Sequence, residues 1–474
     1  MNVTLFNIAD YLYPYSHFLA LSAGYLKSYF EKYSKYNNDI RVTVEYENIL
    51  QELTRIKPKV IGMSVASEFY NEAIKLAVEI RKILPESILV LGGYHITTLP
   101  ESFNKVFNFG VIGEGEITFL ELIHAIYEKA DEERFRAIRG LIFFDKESKL
   151  VRSAPRELIP NLDSIPQPYR GRNKGIYTNI ITSRGCPFGC TFCSTTLFWK
   201  RTIRFNSAEF VMDEMLELIR SYKVRHITFW DDLFIGDVNR LRKILSLIKQ
   251  EKNIFKSITF GVSARPNLIV KHPEILDIFK EMHVLRVSLG FESGSQRMLN
   301  MIKGENATVE NNRKALNLLK RYPFFVNGGF IIGSPGEHLE DIKDTYSFVK
   351  NSGLHGGYAA IAIPYPGTQF WDYAKSENLV SNDMDFARLR TISNYTGLKE
   401  GDFIYLAKEI NINDFLDYGR RFQKYFSRQA ALSYLDFGKL NLRILILFLH
   451  DPSAFLPDFR RIIAAFFKGI FAKK

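Results

Sequence analysis

Three cysteines with close spacing are the residues most able to do chemistry in this chain. Cys186, Cys190 and Cys193 are the only cysteines in 474 residues, and they form a C-x-x-x-C-x-x-C loop. Three thiolates on a short loop can hold one iron–sulfur cluster. Because there is no fourth cysteine, a four-iron cube held here would keep one iron free of protein sulfur. Such an iron can bind and activate a small molecule.

The neighbours of the cysteines fit a cluster, although zinc is an alternative. Gly185 and Gly189 permit positive φ and let backbone amides approach sulfur, while Pro187 stiffens the loop. A zinc site would need a fourth ligand close by, and no histidine lies between Pro155 and Arg225. The loop therefore favours the cluster over zinc.

The elements that must position this loop form a repeat of strands and helices. Strand-like runs alternate with helix-period segments from Tyr177 onward, which predicts a partial (β/α)6 barrel. The cysteine loop directly follows the first of these strands, and active sites of parallel barrels lie at the carboxyl ends of strands. The predicted strands are Tyr177–Thr182, His226–Trp230, Ile258–Val262, Leu285–Leu289, Phe325–Ile332 and Tyr358–Ala362.

Residues 1–130 predict a separate doubly wound, Rossmann-like α/β domain. Its strands are expected at Val3–Asn7, Arg41–Glu45, Val60–Ser64, Ile88–Leu91 and Val106–Ile112, and helices at Phe18–Tyr33, Asn71–Leu84 and Thr118–Lys129. Small or polar loops follow three strands, at Ser64–Ser67, Gly92–His95 and Gly113–Glu116, where ligands bind in such sheets. Residues 131–170 predict a linker, with a small strand at Gly140–Asp145 before a proline-spaced stretch. Residues 171–400 predict the barrel, and 401–474 a helical carboxyl-terminal region.

The cysteine spacing resembles that of the radical S-adenosylmethionine enzymes, whose signature is C-x-x-x-C-x-φ-C with an aromatic residue at φ. Here Phe192 occupies that position. The resemblance implies that the three cysteines bind a 4Fe–4S cluster and that its open iron chelates S-adenosylmethionine. It also implies that reduction releases a 5′-deoxyadenosyl radical and that Phe192 lies near the adenine.

Other segments at successive strand ends extend this resemblance. Asp231 lies in a D-D-x-F segment, and Glu292 in a G-x-E-S-G-S segment, where the resemblance implies a hydrogen bond to the cofactor ribose or amino group. The segment G-F-I-I-G-S-P-G-E is similar to one that contacts adenine and ribose through its backbone. Arg265 could meet the cofactor carboxylate or a substrate acid, or form a surface ion pair. Asp231 and Asp232 could instead be structural caps or links to substrate. The backbone contacts are assigned to Gly333, Pro335 and Gly336.

A doubly wound domain before such a barrel resembles the cobalamin-binding radical S-adenosylmethionine group, in which the corrin lies between the two domains. Ser64, Gly92 and Gly93 are similar to the segments that embrace its nucleotide tail. The D-x-H-x-x-G motif of many cobalamin proteins is absent, because Asp10 and His17 lack its spacing. We therefore predict cobalamin without the usual histidine ligand, and His95 as a loop residue near the corrin edge.

The resemblance implies methylation of an unactivated carbon in a small-molecule or lipid-like substrate, with cobalamin as the methyl carrier and flavodoxin or ferredoxin as electron donor. Ring closure or rearrangement by the same chemistry is an alternative, and so is a corrin- or zinc-binding sensor. Fold and cofactor do not choose between these outcomes.

Charge is concentrated at the carboxyl end. The formal charge is +11, and residues 420–474 hold eleven Lys or Arg against three Asp, a net of +8. The rest is near neutral, which argues against a nucleic-acid groove. Asp451–Lys474 has apolar residues at helical spacing between basic ones, so it predicts a last helix that either docks on the body or contacts a membrane peripherally.

The cellular setting is predicted from the cysteine content and from the apolar runs. The three cysteines lie in one loop and there are none elsewhere to form disulfides, which argues for a reducing, cytoplasmic setting. Met1–Asp10 lacks the pattern of a secretory signal, and Ile444–Leu449, the longest apolar run near the end, is too short to span a bilayer. We therefore expect a cytoplasmic protein with a possible membrane-peripheral tail.

Overall fold

The computed structural model describes residues 1–13, 20–171, 175–304 and 306–435. The chain divides into two compact units, and neither is continuous in sequence. The first comprises Met1–Lys174, Leu197–Lys200 and Tyr365–Arg390, and the second comprises Gly175–Thr196, Arg201–Pro364 and the described part of Thr391–Lys474. Two later segments, Leu197–Lys200 and Tyr365–Arg390, cluster with the first unit, and the domain boundaries at 130, 170 and 400 stay a prediction.

The first unit contains a seven-stranded sheet in the order β2-β1-β3-β4-β5-β6-β7 within the described residues. Strands β1 to β5 are parallel, while β6 and β7 are antiparallel to their neighbours. Its strands are β1 (Asn2–Asn7), β2 (Arg41–Val44), β3 (Val60–Ser64), β4 (Ile88–Gly92), β5 (Phe109–Val111), β6 (Leu141–Phe144) and β7 (Leu150–Arg152).

The second unit contains a six-stranded parallel sheet and a two-stranded antiparallel ribbon. Its six strands pair in chain order, each with the next, and the ribbon pairs β9 with β10. The strands are β8 (Tyr177–Ile180), β9 (Ser183–Gly185), β10 (Ile203–Phe205), β11 (His226–Phe229), β12 (Thr259–Ala264), β13 (Val284–Glu292), β14 (Phe325–Ile332) and β15 (Gly356–Ile361).

Helices connect these strands. In chain order they are α1 (Ile8–Leu12), α2 (Ser22–Tyr33), α3 (Ile49–Ile56), α4 (Tyr70–Ile83), α5 (Tyr94–Thr98), α6 (Gly115–Tyr127), α7 (Glu132–Ala137), α8 (Thr195–Phe198), α9 (Ala208–Tyr222), α10 (Val238–Gln250), α11 (Lys252–Phe255), α12 (Pro266–Lys271), α13 (Ile275–Glu281), α14 (Gln296–Lys303), α15 (Val309–Leu319), α16 (Leu339–Ser352), α17 (Gln369–Ser376) and α18 (Ile412–Leu435). Short 3₁₀ turns occur at Ser67–Phe69, Pro100–Ser102, Leu162–Ser164, Phe234–Gly236 and Phe386–Leu389.

Apolar periodicity explains why these segments take these forms. The central strands are buried on both faces, as β3 shows with four buried residues in five, which suits parallel strands covered by helices. Helix α4 buries Tyr70, Ala73, Ala77 and Ile80, one face of a 3.6-residue repeat. The predicted α/β class, with a doubly wound domain followed by a partial six-unit barrel, is confirmed.

The segment predicted as a linker is partly folded. Residues 132–152 form α7 and the β6–β7 hairpin, which extends the first sheet by antiparallel pairing. The sequence favoured a linker because four prolines punctuate residues 155–168, but these prolines follow the hairpin. All four residues of Leu141–Phe144 are apolar and three of them are buried, which suits a strand that lies between β5 and β7 within the sheet.

A long helix ends the described part of the second unit. Helix α18 buries Phe415, Phe422 and Phe426, and Phe426 approaches Gly357 of β15 so closely that a Cβ there would lie 2.7 Å from its ring. Among the described residues, none of the helices combines the length and apolar character needed to cross a bilayer. The predicted tail helix at Asp451–Lys474 and the apolar run Ile444–Leu449 lie outside the described residues, as does His17.

Candidate active site

Two consecutive aspartates hold the segment that contains the cysteines. Asp231, at the end of β11, is buried, and its Oδ1 accepts hydrogen bonds from the Thr182 amide (3.1 Å), the Thr182 hydroxyl (2.7 Å) and the Ser183 hydroxyl (2.6 Å). Burial raises the pKa of Asp231 to about 6, although Arg240 and these hydrogen bonds oppose the rise. The structure thus supports the structural alternative for Asp231, because the carboxylate anchors the start of the loop.

Asp232 holds the loop on both sides of the cysteines. Its Oδ2 accepts a hydrogen bond from the Gly185 amide at 2.9 Å, and its Oδ1 accepts one from the Thr195 hydroxyl at 3.2 Å. Gly185 precedes Cys186, and Thr195 follows Cys193 by two residues. The sequence already pointed to Asp232 through the D-D-x-F segment, and the structure shows its carboxylate bonded on both sides of the cysteines.

The cysteines lie in a partly buried loop beside an arginine. The Cys193 amide donates to the Cys190 carbonyl at 3.1 Å, and Arg265 Nη1 donates to Cys190 Sγ at 3.3 Å. Burial raises the pKa of the Cys186 and Cys193 thiols. Arg265 also stacks over the Phe188 ring at 3.7 Å, so it belongs to the loop's surroundings and not to a surface ion pair. Phe192 is half-buried in the same loop.

This donor set fits a 4Fe–4S cluster. Three soft thiolates suit iron–sulfur clusters, and a nearby guanidinium offsets their negative charge. The Nε of Arg265, on the same guanidinium that bonds Cys190, is buried without a hydrogen-bond partner. Within the described ranges, no three His, Cys, Asp or Glu side chains are grouped tightly enough for a single ion. The three cysteines of a cube bind three different irons, so such grouping is not required of them.

Glu292 lies at the end of β13 in an unusual backbone conformation. Its φ is +64°, and the pairing of β13 with β14 shifts register between Gly290 and Glu292. The Lys303 ammonium lies 3.2 Å from Glu292 Oε1 and donates to the Gly290 carbonyl at 2.5 Å. Lys303 was not anticipated from the sequence, because a single lysine near the end of a helix resembles ordinary surface charge.

The glycine-rich loop after β14 is held by its own glutamate. Glu337 is buried, and its Oε2 accepts hydrogen bonds from the Gly333 amide at 2.5 Å and the Ser334 amide at 3.0 Å. Burial raises the pKa of Glu337 to about 8, against the lowering effect of these amides. The Gly333 amide, expected to face adenine, therefore bonds within the loop, while Pro335 and Gly336 are half-buried. Glu337 closed the quoted segment but was not assigned a role.

Polar groups also gather at the carboxyl edge of the first sheet. Ser64 accepts a hydrogen bond from the Ser22 hydroxyl at 2.9 Å. Gly93 has φ +102°, and a Cβ there would lie 2.6 Å from the Val65 carbonyl oxygen, so only glycine fits. A Cβ at Gly92 would meet only one atom, at 4.0 Å, and one at Gly113 would meet none within 4 Å. This open backbone at the edge of the sheet fits the approach of a flat ligand or its phosphate, as cobalamin requires.

His95 lies in helix α5 and not in a loop, which corrects that part of its prediction. The side chain is fully buried, with Nδ1 3.1 Å from the Ser67 hydroxyl and Nε2 2.9 Å from the Ser102 hydroxyl. Its ring stacks on Tyr70 at 3.8 Å. Burial lowers its pKa to about 3, so the imidazole is neutral. His95 is a core residue because α5 turns its side chain inward, which glycine spacing alone could not show.

Comparison with known proteins agrees with both units. The B12 binding domain family matches residues 15–123, and the Radical SAM superfamily matches residues 180–349. The chain is 32% identical over 366 residues to an uncharacterized methyltransferase of Pyrococcus horikoshii, covering 75% of this chain and 77% of that protein. It is 26% identical to an anaerobic magnesium-protoporphyrin IX monomethyl ester cyclase of Rubrivivax gelatinosus, covering 73% of this chain and 64% of the cyclase, so it spans just under two thirds of that enzyme.

The fold resembles that of a solved enzyme. The radical S-adenosylmethionine methyltransferase TsrM from Kitasatospora setae, solved with cobalamin and a 4Fe–4S cluster bound, aligns with a TM-score of 0.66 at 18% identity. The alignment covers 80% of this chain and 75% of TsrM. The chain belongs to the radical S-adenosylmethionine superfamily, in the group that carries a B12 binding domain. The predicted cofactors, a 4Fe–4S cluster, S-adenosylmethionine and cobalamin, are confirmed at the level of this family.

Proposed function

We propose that this protein methylates an unactivated carbon of a small-molecule substrate. One observation carries the proposal: the cysteine loop and Glu292 are fixed together at the carboxyl edge of the second sheet. Thr191, inside the loop, donates its amide to the Ile302 carbonyl at 3.0 Å, and the next residue, Lys303, contacts Glu292. The methyltransferase names of the Pyrococcus relative and of TsrM support this reaction class.

When bound, the cofactors supply two things: a radical that removes a hydrogen from the substrate, and a methyl group for the carbon that lost it. The chain supplies position and charge. Cys186, Cys190 and Cys193 would hold the cluster, and the Arg265 guanidinium beside Cys190 would offset thiolate charge. Arg265 would also offer its unpartnered Nε to an acidic group of cofactor or substrate.

The remaining residues would shape the cofactor pockets. We assign Glu292 to the ribose or amino group of S-adenosylmethionine, since a carboxylate accepts hydrogen bonds from both. Phe192, Pro335 and Gly336 would border its adenosine portion, while Gly333 would keep the loop folded through Glu337. The carboxyl edge of the first sheet would receive the corrin nucleotide tail, at Ser64, Gly92 and Gly93.

The test is anaerobic purification with cluster reconstitution, followed by iron, extracted corrin and 5′-deoxyadenosine measurements. We expect iron, corrin and reductant-dependent 5′-deoxyadenosine from the wild type. The matched control C186A/C190A/C193A should keep corrin but lose iron and the nucleoside. Iron without corrin would overturn the cobalamin-dependent reaction and leave the radical one. Corrin without 5′-deoxyadenosine would instead point to a sensor.

A ring closure is the second candidate, because one relative is named as a cyclase. The two reactions differ in the fate of the methyl group. With S-adenosylmethionine labelled as CD₃ and a small-molecule extract of the source cells, methylation places one labelled methyl in a product. A product that loses hydrogen and carries no label would favour the cyclase. Flavodoxin and ferredoxin are the proposed electron donors, and each is tested by replacing the chemical reductant.

We also propose a peripheral membrane contact through Asp451–Lys474, which would make a lipid-like substrate more plausible. The interleaved basic and apolar residues of this segment support the idea. A cytoplasmic location with this contact remains part of the same proposal.

A further inference from the structure

Lys303 occupies an unusual place for a lysine. Its side chain is 4% exposed and that of Glu292 is 14% exposed. Lysine is rarely buried unless it is paired, since removing an ammonium from water is costly. Here it has two partners, the Glu292 carboxylate and the Gly290 carbonyl. Both belong to the end of β13, so the ammonium bridges two points of one short segment.

That segment is the strained part of the strand. Glu292 adopts a left-handed backbone conformation, which a residue with a side chain holds only where its surroundings impose it. The register shift separates Gly290 from Glu292, and Lys303 contacts both sides of it. Gly290 leaves room for this arrangement, because a Cβ there would lie 2.4 Å from Glu292 Oε1.

The same helix turn also holds the cysteine loop. Ile302 lies in the last turn of α14, where backbone carbonyls have no partner within the helix. Its carbonyl accepts hydrogen bonds from the Thr191 amide at 3.0 Å and the Thr191 hydroxyl at 3.4 Å. Consecutive residues, Ile302 and Lys303, therefore tie the loop between Cys190 and Cys193 to the carboxylate at the end of β13.

We propose that Lys303 is a positioning residue that fixes Glu292 relative to the cysteine loop, so that one molecule of S-adenosylmethionine can engage both. This inference rests on the proposed role of Glu292. A purely structural lysine would affect stability alone. A positioning lysine acts through Glu292, so its removal should weaken cofactor binding only while Glu292 is present.

The experiment measures S-adenosylmethionine binding to the reconstituted full chain by equilibrium dialysis, together with iron content and thermal unfolding. The variants are K303M, E292Q, the double variant K303M/E292Q and the control K314M. Lys314 pairs with Glu310 on the exposed face of α15. We expect K314M to match wild type and each single variant to raise the dissociation constant by about tenfold, or about 1.4 kcal/mol. The double variant should be no weaker than the weaker single variant.

The outcomes separate the two ideas. If K303M binds like wild type while E292Q is weakened, the positioning role is overturned and that of Glu292 stands. If E292Q binds like wild type, the proposed role of Glu292 fails and the inference with it. Multiplying effects in the double variant would also overturn the inference. If K303M loses iron, the binding measurement is repeated with K303Q, which keeps a hydrogen-bond donor for the Gly290 carbonyl. The same outcomes then decide.

Discussion

At the scale of residues, the site depends on side chains that hold other groups in place. The cysteines are proposed to carry the chemistry, while Asp231 and Asp232 bond the segment that contains them and Lys303 bonds Glu292. Each uses a charged group to bond backbone or hydroxyl groups, and such hydrogen bonds are stronger than those between neutral groups. Removing one of them should therefore affect the cluster before it affects the fold.

Asp232 provides the first prediction. D232N should lose its cluster faster than wild type, because an asparagine has one neutral acceptor oxygen where the carboxylate accepts from both the Gly185 amide and the Thr195 hydroxyl. A loss of 1.5 kcal/mol, typical of a hydrogen bond to a charged group, corresponds to a roughly tenfold faster release. Iron release to a chelator measures this, with the exposed-residue variant E310Q as control. Equal rates for D232N and wild type would show that Asp232 does not secure the loop.

Glu337 provides a prediction about pH. Burial raises its pKa to about 8 in the folded chain, whereas the ordinary value is 4.5. The folded state then binds a proton that the unfolded state has released, so stability from this group is complete below pH 4.5 and is lost by about pH 8. Its contribution to the free energy of unfolding falls by up to about 1.4 kcal/mol per pH unit within that window.

E337Q imitates the protonated acid and cannot ionise. We expect the free energy of unfolding of E337Q, relative to wild type, to grow as pH rises from 6.5 to 8. Urea unfolding of both proteins at these two pH values measures the change. A difference that is the same at both would show that Glu337 ionises normally.

At the scale of elements, the strand–loop–helix turns decide what the sheets can bind. The turn after β4 brings the Gly93 backbone against that of Val65, and the Val65 amide donates to the Gly92 carbonyl at 2.9 Å. The turn after β5 is open at Gly113. Gly93 and Gly113 both have positive φ, but only Gly93 packs against neighbouring backbone.

These two turns make a matched pair of variants. G93A should destabilise the protein by about 3 kcal/mol or prevent folding, because backbone strain adds to a clash with the Val65 backbone. G113A should cost only about 1 kcal/mol, since strain acts there without a clash. Thermal unfolding of the two variants and wild type measures the order. A variant G113A as unstable as G93A would contradict it.

At the scale of the whole molecule, charge is distributed unevenly along the chain. Residues 420–474 hold a net charge of +8 of the total of +11. Basic residues near an anionic surface each contribute about 1 kcal/mol to membrane binding, and salt screens this attraction. Reversing charges in this segment therefore tests whether the protein binds a membrane surface.

We expect wild type to sediment with vesicles that contain anionic lipid, and binding to fall by about tenfold or more in R460E/R461E/K468E. Neutral vesicles and 0.5 M salt should abolish the interaction. K243E, on α10, is the control for a general loss of positive charge. Wild type that ignores anionic vesicles would exclude the membrane role.

The sequence by itself determined most of the elements and predicted the three cysteines as cluster ligands. The six barrel strands were found within a few residues, because apolar periodicity records burial locally, and the cysteine spacing is a local property of one loop. Only the tertiary structure decided which groups these side chains bond. Asp232, Lys303 and Glu337 act through groups brought near them by turns and strand pairing, and His95 is buried in a helix where a loop residue was expected. Hydrogen bonds between distant segments depend on orientation, which one-dimensional spacing does not encode.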